Sequence, residues 1–199
     1  MRAFLVVLVL LAGGALVASR FTPKLTRVEV SGDQHLSEAE VLRLADVAPG
    51  DPFLWVTSFR MRRLLNDPWV RKVRVMRYWP NTVTITLWER QPALTDGTTT
   101  WARDGTALPG ATAAQTKALP RLTGWGPPRL DEALTLLRLL YPYGPKVIGY
   151  SPEGFEIQLT GTSLFTPSAE ALEKQWAAFE SHLGGRVAVY PWGVSKAHE

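Results

Sequence analysis

The stretch Pro68–Leu94, PWVRKVRVMRYWPNTVTITLWERQPAL, holds two alternating runs joined by Pro80-Asn81. Val73 and Val75 in the first run, and Val83, Ile85 and Leu87 in the second, fall on one side of a backbone of period two, with Arg, Met and Thr between them. A Pro-Asn pair suits a tight turn, so the segment predicts a β-hairpin with arms Val70–Tyr78 and Thr82–Trp88. One apolar and one polar side predict a sheet packed on one face and wet on the other. Pro92 cannot donate to a ladder, so the second arm should end or change partner at Glu89-Arg90-Gln91-Pro92.

Toward the N-terminus, Leu25–Val30 (LTRVEV) alternates like a strand, with Val28 and Val30 on one face, Leu25 out of phase, and Ser31-Gly32-Asp33 closing it. Ser37-Glu38-Ala39-Glu40 is a capping box, flanked by Leu36 and Val41 at the apolar staple positions. A helix is therefore predicted to run to about Asp46, with Val41, Leu44 and Ala45 inward. Pro49-Gly50-Asp51-Pro52 breaks the chain. A second helix should start from Thr57 or Ser58 as N-cap, turn Met61, Leu64 and Leu65 inward, and end near Asn66-Asp67-Pro68. The order strand, helix, helix, strand, strand predicts a three-stranded sheet with both helices on one face.

Beyond Pro92 the texture changes. Asp96-Gly97 and Asp104-Gly105 are turn dipeptides around the short strand TTTWA (98–102), and Ala107–Thr116 reads as a loop. A helix is predicted from Arg129 to about Tyr141, and strands over Lys146–Tyr150 and Phe155–Thr160. Thr166-Pro167 opens a further predicted helix, with proline at its first position and Leu172, Trp176, Phe179 and Leu183 on one stripe. Gly184-Gly185 ends it, Arg186–Tyr190 is the last predicted strand, and Pro191-Trp192-Gly193 leads to a polar tail over 195–199. The predicted class is α+β, with domains over 25–92 and 93–194.

At 199 residues and 46% apolar content, the chain can build one ordinary domain or two small ones with real cores. It has no cysteine, which excludes disulfides and thiolate metal sites. Ala3–Ser19 (AFLVVLVLLAGGALVAS) carries no charge; as a helix it would reach about 25 Å, slightly short of a hydrocarbon core of roughly 30 Å. Phe21 and snorkelling Arg2 and Arg20 can make up the difference, which predicts a transmembrane anchor over 3–21 behind a cytoplasmic tail of residues 1–2. Val17 and Ser19 also suit the small positions of a cleavage site, so a removed signal peptide is the alternative. Either reading puts the body outside the cytoplasm, although Arg20, Lys24 and Arg27 behind the span leave the charge bias for orientation weak.

The histidines, His35, His182 and His198, have no second ligand at metal spacing, and His182 reads as a cation at a helix C-terminus. No glycine-rich phosphate loop, nucleophile elbow or zinc-protease helix occurs in the sequence, so neither catalysis nor a cofactor is expected. Arg60, Arg62, Arg63, Arg71, Lys72, Arg74 and Arg77 lie among Trp69, Tyr78 and Trp79, a mixture that a nucleic-acid groove would use. The same cations occupy an outer helix face and the strand positions between inward valines. A solvated face that docks acidic partner segments or anionic headgroups is the preferred reading, with no nucleic acid and no small-molecule substrate.

The succession VEVSG (28–32), HLSEAEV (35–41), PGDPFLWV (49–56) and LLNDPWVRKVRVMRYWPNTVTITLWERQPA (64–93) closely resembles the FtsQ-type POTRA domain of the bacterial division proteins FtsQ and DivIB. Its strongest block is Pro68-Trp69-Val70, the strand that follows, Trp79-Pro80-Asn81-Thr82, and Glu89-Arg90-Gln91-Pro92. The remainder resembles that family's β domain: Asp104-Gly105 its early turn, Glu153-Gly154 its later one, and Glu173-Lys174 its lysine-bearing helix. Where members carry an Asp-Leu-Arg run in the terminal strand, this chain has Arg186-Val187-Ala188-Val189-Tyr190.

The resemblance implies a single-span inner-membrane protein with its body outside the cytoplasm, a non-catalytic scaffold of the divisome at the septum. Its implied partners are FtsB/DivIC-like and FtsL-like division proteins, with FtsW/FtsI-type peptidoglycan synthases and FtsK beyond them. In that family an FtsB-type partner adds a strand to the exposed C-terminal edge strand of the β domain. Main-chain groups of such an edge supply affinity and alternate side chains supply specificity. Carried over, the residues are Val187, Val189, Tyr190, Trp192 and Gly193. The POTRA domain contributes to recruitment, with Arg60, Arg63, Arg74 and Trp88 as its surface candidates, and Glu89, Arg90, Gln91 and Pro92 stand where a hinge between domains would be. The alternatives are a POTRA protein of outer-membrane assembly or secretion, for which the part after Leu94 is too short and too helical to form a barrel, and a membrane-anchored wall hydrolase, whose catalytic groups the sequence does not assemble.

Overall fold

Leucine, valine and alanine dominate Arg2–Ser19, and helix α1 (Arg2–Ser19) forms there. The structure, a computed structural model, describes residues 2–19, 23–32 and 34–197. Among the described residues no helix is long and apolar enough to cross a membrane. Arg20 and Phe21, expected to complete an anchor, lie outside the described residues, as do Met1, Asp33 and His198. The chain divides into two units, residues 1–90 and 91–199.

In the first unit, the two alternating runs and the strand before them make a three-stranded sheet. It comprises β1 (Arg27–Ser31), β2 (Val70–Tyr78) and β3 (Thr82–Glu89) in the order β1-β3-β2, with β1 parallel and β2 antiparallel to β3. Val83, Ile85 and Leu87 are buried on one face, with Val28, Val30, Val73 and Val75 packed around them. Leu25 is buried as well, ahead of a strand that begins only at Arg27. The Trp79-Pro80 peptide in the hairpin turn is cis.

The helices between β1 and β2 cover the apolar face. Helix α2 (Glu38–Ala45) begins at the predicted capping box: the Ser37 hydroxyl accepts from the Glu40 amide, and the Glu40 carboxylate accepts from the Ser37 amide at 3.0 Å. Those Ser37 donors hold the Glu40 carboxyl below its ordinary pKa. The second helix is shorter than the sequence predicts, with turns over 58–61 and α3 covering only Arg62–Leu65. The Arg60 guanidinium reaches back to the Asp46 carbonyl at 2.8 Å and the Asp51 carboxylate at 2.9 Å, which holds residues 58–61 as turns. Met61 and Leu64 are buried, but Leu65, expected inward, is exposed because the short helix ends before that face turns to the core.

At the far end of β3, Glu89 and Arg90 tie the unit together. The Glu89 carboxylate accepts from three consecutive amides, Gln34, His35 and Leu36, at 3.1, 2.8 and 3.1 Å. The Arg90 guanidinium donates to the Pro68 and Val70 carbonyls at 3.0 and 2.7 Å, and its amide to the Trp69 carbonyl at 2.7 Å. His35 stacks on buried Trp69, ring centroids 3.5 Å apart. Gly32, at φ +85°, lets the loop pass so close to β3 that a Cβ would strike the Leu87 carbonyl oxygen.

The second unit is an eight-stranded sheet. Its strands are β4 (Pro92–Thr95), β5 (Thr100–Ala102), β6 (Arg121–Gly124), β7 (Val147–Ser151), β8 (Gly154–Leu159), β9 (Thr162–Thr166), β10 (Gly185–Tyr190) and β11 (Gly193–Ala197). Their spatial order is β11-β10-β9-β8-β7-β6-β4-β5. Helix α4 (Ala113–Thr116) is a short turn inside the predicted loop. Helix α5 (Leu130–Leu140) joins the parallel neighbours β6 and β7; α6 (Ala169–Lys174) and α7 (Trp176–Ser181) join the parallel pair β9 and β10. One core gathers Leu136, Leu140, Ile148, Phe155, Ile157, Leu164, Leu172, Phe179, Val187 and Val189.

Strand β3 ends at Glu89, where the Glu89-Arg90-Gln91-Pro92 stretch predicts that the arm ends or changes partner. Pro92 opens a new strand in a different sheet, a position where its missing donor costs nothing. Thr166 belongs to β9, and the following helix is capped by Ser168, whose hydroxyl accepts from the Ala171 amide at 3.1 Å, so Pro167 precedes the cap. The predicted single helix is broken at Gln175 into α6 and α7, and Leu183 is left exposed.

Arg129 locks α5 to the sheet: Nε donates to Glu132 at 2.8 Å, Nη1 to the Ser151 carbonyl at 3.1 Å and Nη2 to the Pro167 carbonyl at 2.9 Å, with the guanidinium 4.2 Å above the Phe155 ring. Two substitutions test the anchors of the two units. Glu89→Ala leaves three amides without their charged acceptor and should lower stability by about 2 kcal/mol, and Arg129→Ala by about 3 kcal/mol, both read from urea unfolding followed by circular dichroism.

Candidate partner-binding edge

The residues after Tyr190 do not trail away as a polar tail. Gly193–Ala197 folds back as β11, antiparallel to β10, from Tyr190 opposite Gly193 to Arg186 opposite Ala197, so Ser195–Ala197 belong to the sheet. The two-residue turn Pro191-Trp192 makes the reversal, and the Gln175 side-chain amide donates to the Pro191 carbonyl at 3.1 Å. With β9 on its other side, β10 is an interior strand, which corrects its expected place at the edge. Val187 and Val189 are fully buried core residues and cannot meet a partner. The open edge is β11, because a two-residue turn is enough to bring a further strand alongside.

Beside that edge lies an aromatic row on the sheet face turned away from the core. Phe165 and Tyr190 meet at 5.8 Å between ring centroids, and Tyr190 stacks on Trp192 at 5.1 Å with planes 10° apart. Trp192 is 81% exposed. Val194, opposite Val189, packs on the core, and Lys196, on the same side opposite Val187, donates to the Leu183 carbonyl at 3.4 Å, while Gly193 and Ser195 fall on the side of the aromatic row. The sheet's other edge differs: β5 is short, and its own following loop bonds back onto it through the Leu108 amide to the Thr100 carbonyl at 2.7 Å.

The four surface candidates of the first unit fall in two places. Arg74 and Trp88 share the open face of the three-stranded sheet, where Arg74 lies opposite Thr86, Lys72 lies opposite Trp88, and the Lys72 ammonium sits 5.1 Å from the Trp88 ring. Arg60 is committed to Asp51 and Asp46, while Arg63 is exposed on α3. Of the four residues expected at a hinge, Glu89 and Arg90 are tied into the first unit and Pro92 begins β4, which leaves Gln91 between them. His182 caps α7, its Nδ1 2.7 Å from the Ala178 carbonyl. Among the described residues no group of three or more His, Asp or Glu side chains could hold a metal ion.

Residues 24–90 match the family model described as the POTRA domain, FtsQ-type. The chain is also similar to proteins named Cell division protein FtsQ: that of Geobacter sp. (strain M21) at 41% identity over 70 residues, 35% of this chain and 26% of that one. The Streptomyces coelicolor protein is 42% identical over 96 residues, 45% of this chain and 35% of that one. The Mycolicibacterium smegmatis protein is 36% identical over 133 residues, 61% of this chain and 39% of that one. Residues 24–90 are an FtsQ-type POTRA domain, and the chain is similar to division proteins named FtsQ. It spans between about a quarter and two-fifths of the length of these relatives. The longest of these matches, over 133 residues, is too long to lie within the FtsQ-type block at 24–90 alone.

The corrected edge separates core residues from surface residues. Val187→Ala should lower stability by about 2 kcal/mol, whereas Trp192→Ala should stay within about 1 kcal/mol of the parent in the same urea titration.

Proposed function

We propose that this chain is a non-catalytic, membrane-anchored scaffold of the division machinery that binds FtsB/DivIC-like and FtsL-like partners and helps bring septal peptidoglycan synthases of the FtsW/FtsI type to the division site. The observation that carries this reading is an FtsQ-type POTRA domain followed by a second sheet whose C-terminal strand has an open edge. The apolar segment 3–21, of which α1 is the described part, is the anchor in the inner membrane, with the N-terminus inside and both units outside the cytoplasm. A partner strand adds to β11, main chain to main chain, and Tyr190, Trp192 and Gly193 flank it. Residues 193–197 thereby take the place that sequence reasoning gave to Val187 and Val189. The open face around Arg74 and Trp88 serves recruitment, with FtsK among its candidate partners. Gln91 is the pivot of the proposed hinge.

Two measurements test this. A fluorescent fusion of the full chain should concentrate at mid-cell in dividing cells; an even distribution around the envelope would sink the scaffold reading. Lys196→Pro removes a main-chain donor from the open side of β11, since the hydrogen-bonded pairs Tyr190–Gly193 and Ala188–Ser195 leave the Lys196 amide facing outward, and should weaken capture of the FtsB-type partner at least about tenfold in membrane co-purification, while Arg63→Ala, far from that strand in sequence and in the other unit, leaves it unchanged. Equal capture by Lys196→Pro and the parent would refute the edge.

A further inference from the structure

We infer that the tip of the β2–β3 hairpin is a foot that rests on an anionic lipid surface, with Tyr78 and Trp79 in the headgroup layer and Lys24, Arg27 and Arg77 on the lipid phosphates. The inference rests on the proposed insertion of α1.

The covalent connection puts the tip beside the membrane. Strand β1 enters the sheet at this end, with Arg27 opposite Thr82 and Thr82 opposite Tyr78. The amides of Thr26 and Arg27 both donate to the Asn81 carbonyl, at 3.0 and 3.3 Å, so the incoming chain is bonded to the turn itself. The Pro23 carbonyl accepts from the Phe53 amide at 3.0 Å, which fixes the chain to the unit from Pro23 onward. Between Ser19, the last residue of α1, and Pro23 the four Cα steps span at most about 14 Å. A headgroup layer is about 5–8 Å deep on each side of the hydrocarbon, so with α1 inserted this end of the sheet is held within reach of it.

The chemistry of the tip suits that place. Trp79 is 69% exposed although its ring meets buried Phe53 edge-on at 5.7 Å, and Tyr78 is 51% exposed, so two adjacent aromatics at the turn leave most of their surface to solvent. Arg77 and Lys24 are exposed beside them, and Arg27 is exposed although it pairs with Glu29 at 3.1 Å, so the tip is net positive. Tryptophan and tyrosine together with lysine and arginine are the side chains that bilayer interfaces select, the aromatics for the headgroup layer and the cations for an anionic leaflet. An acidic peptide would satisfy the cations but has no use for aromatics at a turn, where the ladder that would bind its main chain stops.

The absence of cysteine allows single labels in the full chain. Asn81→Cys at the tip and Ser31→Cys at the opposite end of β1 would each carry an environment-sensitive fluorophore, with the protein in nanodiscs of phosphatidylcholine alone or mixed with phosphatidylglycerol. Thr82→Cys, in the pair with Tyr78 that closes the hairpin, repeats the tip measurement should Asn81→Cys unfold. Brominated phosphatidylglycerol should quench the tip label at least about twice as strongly as the label at Ser31, and Lys24→Glu with Arg77→Glu, or high salt, should bring the two together. Equal quenching at both ends in anionic nanodiscs overturns the foot. A tip label untouched by lipid but shifted by a glutamate-rich peptide overturns it too and gives the surface to a protein partner. Failure of the chain to enter nanodiscs at all would instead defeat the anchor on which the inference depends.

Discussion

Glu89 ends its strand with a carboxylate aimed at three successive amides in the loop between β1 and α2, and the arrangement of the first unit follows from that contact. Three donors converging on one charged acceptor fix the direction of residues 34–36, and the next residue is Ser37, the cap that starts α2. Once α2 starts there, Val41 and Ala45 fall over Val83 and Ile85, and the core closes. Arg90, one residue on, holds the start of β2 from the other side. The Glu-Arg pair therefore does in side-chain hydrogen bonds what an additional strand would do in main-chain ones: it joins the two ends of an open sheet to the layer above it.

The second unit solves a different problem. An eight-stranded open sheet has two edges, and each is an invitation to pair with another chain. At β5 the invitation is withdrawn by the chain's own loop. At β11 it stands, next to stacked rings with a large apolar area already free of water on one side only. A sheet covered at one edge and open at the other has a direction in which it can grow.

The first unit was legible in the sequence because its alternation is strict and its sheet is wet on one face: Thr82, Thr84 and Thr86 between Val83, Ile85 and Leu87 leave one choice of face. Ser37 and Glu40 announced a helix start that the side chains then make. The length of α3 was hidden, since nothing local to Thr57 or Ser58 tells that Arg60 will leave for Asp51. In the second unit, β6 and β9 are four and five residues long and lie next to turns, too short for a period to show. Strand β11 has a single β-branched residue, Val194, among Gly, Ser, Lys and Ala, so its strand character comes from β10 alongside it rather than from itself. That is why the edge was placed one strand too far inward, at β10. Glu89 was read as the end of a strand, and its carboxylate became meaningful only when the loop 55 residues away in sequence was seen to meet it.

The break at Gln175 has a mechanical consequence. At the break the Gln175 side-chain amide holds the Pro191 carbonyl, so the turn that carries β11 is pinned to the helical layer as well as to its neighbour strand. A tail that is merely paired peels from its free end, one rung after another. A strand whose turn is also fastened, and whose partner lies along its length, is loaded in shear, with its rungs resisting together. Under a pull along the strand, such a join would yield last at the turn, and Gln175 would be the stitch.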